Sequence, residues 1–155
     1  MSTRTPAAPG RAVGLLWLLT GLFALRVAGQ ALVASRDVSF LPPMAEWYSG
    51  LVPYPLLLPI QLVMLAVMAR IDLDLTRGRG PFVRARPRLG SGLRWFAVAY
   101  FLAMVARYAL TMALRPERRW LGGAIPIVFH WVLAAYVFVW GTVIVPGAAR
   151  RGTDR

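Results

Sequence analysis

Cysteine is absent from the 155 residues. Its absence excludes disulfide frameworks, thiol nucleophiles, thiolate-bound zinc and iron–sulfur clusters. Lysine is absent too, so all eighteen basic residues are arginine, a bias that GC-rich codon usage explains. Histidine occurs once, as His130. One histidine cannot make a bis-histidine haem pair, and a zinc site would need more nitrogen ligands than exist. Acids number only six.

Apolar residues, in contrast, make up 58% of the chain and gather in four blocks. The blocks cover about residues 12–34, 51–70, 93–114 and 123–145, each long enough as a helix to cross a bilayer core of about 30 Å. The expectation is an all-α integral membrane protein, an up-down four-helix transmembrane bundle in the cell membrane of a bacterium. Residues 1–10 read as a polar lead and residues 146–155 as a basic tail. The first block competes with a signal peptide, but its apolar character continues past Arg26 to a full spanning length, which favours retention. Within it Ala24 and Ala28 stand one turn apart, a spacing that lets another helix approach closely in lipid.

Residues 35–50 form a loop with Asp37, Glu46, Pro42-Pro43 and a Trp47-Tyr48 pair suited to a headgroup boundary. The second block contains Pro59, which removes one helix hydrogen bond and predicts a kink near Gln61. Residues 71–92 read as a long flexible connection. Its arginines at 77, 79, 84, 86 and 88 are expected to touch anionic lipid headgroups rather than nucleic acid. Four spans put both termini and this connection on one side. Twelve arginines fall there, against Arg36, Arg115, Arg118 and Arg119 opposite, so the positive-inside rule places both termini in the cytoplasm.

Two arginines do not flank the blocks but lie inside them. A charge at mid-membrane costs about 2.5–3.5 kcal/mol on insertion scales, so such residues face a protein interior and mark sites. Arg26, Arg107 and His130 all fall roughly 10–12 Å below the outer surface. Gln30 is one turn from Arg26, and Gln61 is somewhat deeper. No acid lies inside the spans so drawn, so the two cations need Asp37 or Glu46 folding in from the loop, an external anion, or a path by which the guanidinium groups snorkel outward. Arg26, Gln30, Glu46, Gln61, Arg107 and His130 are therefore the candidate ligand-binding residues, with Tyr100, Tyr108 and Thr111 as further donors near Arg107. The function expected is binding of a lipid headgroup, quinone or organic anion in an outer-leaflet pocket, as a carrier or as an accessory subunit with a membrane partner or a second copy of itself. The alternative is a membrane enzyme acting on a lipid or quinone, with His130 and Glu46 transferring a proton. No motif identifies a cofactor.

Overall fold

The computed structural model describes residues 10–36, 47, 53–114 and 124–145. The lead, most of the first loop with Asp37 and Glu46, the connection at 115–123 and the tail lie outside the described residues. Four helices carry the chain: α1 (Gly10–Ser35), α2 (Tyr54–Arg77), α3 (Pro87–Leu114) and α4 (Ala124–Val143). Among the described residues there is no strand. All four helices are long and apolar enough to cross a membrane.

α2 begins where proline favours it. Pro53 lies just before the first helical residue, its carbonyl accepting from Leu56 and Leu57, and Pro55 occupies the first turn, where no backbone N–H partner is needed. Pro59 lies inside the helix. The other end departs from the sequence expectation. The helix does not stop at Arg70 but runs two turns further to Arg77, and Gly78 closes it in the left-handed conformation at φ 63°. The Gly78 and Arg79 N–H groups cap the carbonyls of Leu75 and Asp74. α3 likewise starts early, at Pro87, so the connection is only residues 78–86. The reading that no acid lies within the spanning helices is thereby overturned, because Asp72 and Asp74 are both buried in α2.

The apolar core forms where α1 meets α2 and α4. Leu16, Leu19, Phe23 and Val27 of α1 pack with Met68, Ile71 and Leu75 of α2 and Tyr136 of α4. Side-chain hydrogen bonds join Trp17 to Thr76 near one end of the α1–α2 pair and Gln30 to Gln61 near the other.

Among the described residues close backbone approaches run α2–α1, α1–α4 and α4–α3, so α3 lies against α4, and α2 and α3, though consecutive, make no close backbone approach. The α3–α4 contact is close because glycine faces glycine. A Cβ on Gly90 would lie 2.6 Å from the Gly141 carbonyl oxygen, and one on Gly141 would lie 3.0 Å from that of Gly90. The Arg86 N–H also donates to the Ile144 carbonyl at 2.9 Å. Of the two small residues one turn apart on α1, Ala28 is exposed and Ala24 half-buried.

Candidate functional site

Arg26 and Gln30, four apart on α1, share one face, and that face turns inward: Arg26 is 7% exposed and Gln30 fully buried. Both converge on one backbone oxygen. Arg26 Nη2 donates to the Trp47 carbonyl at 3.2 Å and Gln30 Nε2 donates to it at 3.3 Å. Gly29 makes room for this arrangement, since a Cβ there would come within 2.8 Å of the Trp47 ring.

From α2, Gln61 Nε2 donates to Gln30 Oε1 at 3.3 Å. This relay fixes which way each amide points. The Trp47 carbonyl can only accept, so Gln30 must present its NH2 there and its oxygen to Gln61, which in turn must present its own NH2. Gln61 Oε1 is left over, buried and without a hydrogen-bond partner among the described residues. Arg26 is in the same condition at two atoms, Nε and Nη1. Its guanidinium carbon lies 5.9 Å from the centre of the Phe129 ring, at the outer limit of cation–π attraction.

Arg26, Gln61, Phe129 and His130 line one cavity of about 250 Å³, together with Trp47, Tyr100 of α3 and apolar residues of α1, α2 and α4. It is partly open. Leu57, Ile60 and Met64 of α2 form one wall and Tyr100 of α3 another, on helices that make no close backbone approach among the described residues. His130 Nδ1 hydrogen-bonds the Pro126 carbonyl one turn earlier, so Nδ1 carries the ring proton. The ring of Tyr100 lies 5.8 Å from that of His130.

The six residues singled out from sequence thus divide. Arg26, Gln30, Gln61 and His130 come together around one space, with Gln30 behind Gln61 as its anchor. Glu46 lies outside the described residues. Arg107 does not line the cavity; it stands two turns along α3 from Tyr100, which takes the place beside His130 instead. Tyr108 packs against Trp131 at 6.2 Å, and the Thr111 hydroxyl turns back to the Arg107 carbonyl at 2.8 Å. Phe129 and the Trp47 carbonyl were not legible from sequence, since a ring face and a backbone oxygen carry no residue-type signal.

A second buried polar group was missed altogether. Asp72 is 0% exposed; it accepts from Thr20 Oγ1 at 2.7 Å, and its Oδ1 lies at hydrogen-bond distance, 3.0 Å, from the Tyr136 hydroxyl. Its signal was periodicity: Gln61, Met64, Met68, Asp72 and Leu75 continue one helical face across Arg70. Asp74 behaves differently, pairing with Arg70 Nε at 3.2 Å and tucking against Gly80, whose φ of 128° suits glycine. Among the described residues there is no cluster of three or more His, Cys, Asp or Glu side chains that would hold a metal. No protein-family model matches the chain, and no curated protein or solved structure is significantly similar to it.

Proposed function

We propose that this is a small multi-pass membrane protein that binds a lipid headgroup in an outer-leaflet cavity, serving as a carrier or as an accessory subunit. The observation that carries the reading is Arg26: a buried guanidinium with two nitrogens that have no acceptor among the described residues, on a cavity wall. A buried donor without a partner costs about 1–3 kcal/mol, and more when charged, so such a group is retained where something supplies oxygens. Gln61 Oε1 narrows the choice of ligand. It needs a donor, so the ligand brings an anionic oxygen to Arg26 and a hydroxyl or amine to Gln61. A phosphodiester with a hydroxylated headgroup has both, whereas an oxidised quinone offers acceptors only.

Size points the same way. About 250 Å³ falls below the roughly 300–1,000 Å³ of pockets that enclose a drug-sized ligand. A headgroup is then the buried part, and its chains leave through the gap between α2 and α3. Pro59, two residues before Gln61, supports a kink that widens this wall. The helices are read as an up-down bundle with both termini cytoplasmic. Support comes from the reversed residue order of the contacts, 17 with 76 and 30 with 61, then 90 with 141 and 100 with 130. The arginine bias sets the direction and leaves the cavity near the external end. The enzymatic alternative has less support, because His130 is held by a backbone carbonyl and a tyrosine ring. The test is native mass spectrometry of protein released gently from its membranes. A retained phospholipid, lost on Arg26→Leu but kept on Arg36→Leu, supports the reading; a bare protein in both refutes it.

A further inference from the structure

We propose that Asp72 is a proton-binding site, holding a neutral carboxylic acid at the junction of α1, α2 and α4. It stands apart from the headgroup cavity and does not depend on it. The site holds too few hydrogens for an ionised carboxylate. The Tyr136 hydroxyl lies 3.0 Å from the Met68 carbonyl and 3.0 Å from Asp72 Oδ1, yet it has one proton to give. The Met68 carbonyl cannot donate. Thr20 Oγ1 already supplies Asp72 Oδ2 at 2.7 Å. With Asp72 ionised, one hydroxyl proton must serve two acceptors. With a proton on Oδ1, every contact closes in sequence: Thr20 donates to Oδ2, Oδ1–H donates to the Tyr136 oxygen, and Tyr136 donates to Met68.

The surroundings agree with that count. Asp72 is fully enclosed, with Tyr136 at 3% and Thr20 at 6% exposure. Among the described residues no basic nitrogen lies within 4.0 Å of it. α1 brings Thr20 and Trp17, and α4 brings only Tyr136. On α2 the flanking Arg70 and Asp74 are paired with each other. A bare carboxylate with two hydroxyl donors and no cation is a costly species in such a place, and it takes up a proton instead. Losing the proton would turn the Tyr136 hydroxyl to the carboxylate and leave the Met68 carbonyl without its donor, so release would loosen the Tyr136–Met68 half of the hydrogen-bonded tie between α4 and α2.

Infrared spectroscopy of the full-length purified protein tests this, because a protonated carboxyl has a C=O stretch clear of the amide and carboxylate bands. Only six acids contribute. The expected result is a carboxylic-acid band at neutral pH that shifts in D2O, disappears in Asp72→Asn and moves to higher frequency in Tyr136→Phe, where the acid has lost its acceptor. The Tyr136→Phe shift decides the matter if Asp72→Asn does not fold. A spectrum without the band at neutral pH overturns the proposal, and so does a band that neither variant alters. A band that appears only when sodium is withdrawn also overturns it, making the ring of oxygens a cation site.

Discussion

Replacing Arg26 by leucine separates a ligand-binding arginine from a structural one. Two of its nitrogens are buried without acceptors among the described residues, and removing them relieves about 1–3 kcal/mol each. The variant also loses the bond from Nη2 to the Trp47 carbonyl, worth about 1.5–3 kcal/mol for a charged donor. That carbonyl is not orphaned, since Gln30 still donates to it. The ligand-free variant should therefore lie between about 1 kcal/mol less stable and about 4.5 kcal/mol more stable than wild type. With ligand the order changes. At a hundred times Kd a ligand adds about 2.7 kcal/mol, or roughly 5–11 °C in Tm for a chain of this size. Wild type gains this and Arg26→Leu does not. Arg26→Lys recovers part of the gain, because an ammonium lacks the planar fork. The assay is thermal unfolding in detergent with graded additions of anionic phospholipid, zwitterionic phospholipid and quinone. The reasoning fails if Arg26→Leu destabilises the ligand-free protein by about 3–5 kcal/mol, the cost of orphaning a buried partner. It also fails if no addition stabilises wild type more than the variant.

Arg107→Leu should keep the full ligand-induced rise in Tm, since Arg107 does not line the cavity; loss of the rise would place it in the site after all. Gly90→Ala should destabilise the α3–α4 pair by about 1–3 kcal/mol, because its Cβ would press on the Gly141 carbonyl, while Gly14→Ala should not destabilise. Differential scanning of both variants checks this. Reporter fusions after Arg79 and Arg150 should read cytoplasmic and one after Asp37 external; a cytoplasmic signal from the last would reverse the orientation.

Four membrane-length helices were legible in the sequence because burial in lipid imposes a gross rule, about twenty apolar residues per crossing. Lipid solvation also made Arg26 and Gln30 readable as inward-facing, since a polar group one turn from another cannot be left in hydrocarbon. The same rule misplaced the end of α2. A hydropathy window penalises Asp72 and Asp74 as if they were alone, while in the fold Asp72 has Thr20 and Tyr136 and Asp74 has Arg70. Those partners come from 52 and 64 residues away for Asp72, and no local pattern announces them. The face of a helix could likewise be counted from sequence, since Tyr100 and Arg107, seven residues apart, share one, but the axial register of one helix on another could not. Arg107 and His130 were matched in depth by counting, yet packing of Gly90 on Gly141 brings Tyr100 level with the histidine and leaves Arg107 two turns further along. Composition determined that the chain crosses the membrane. Which side chains face one another across the bundle was decided by close contact between helices, a matter of ångströms that only the tertiary structure settles.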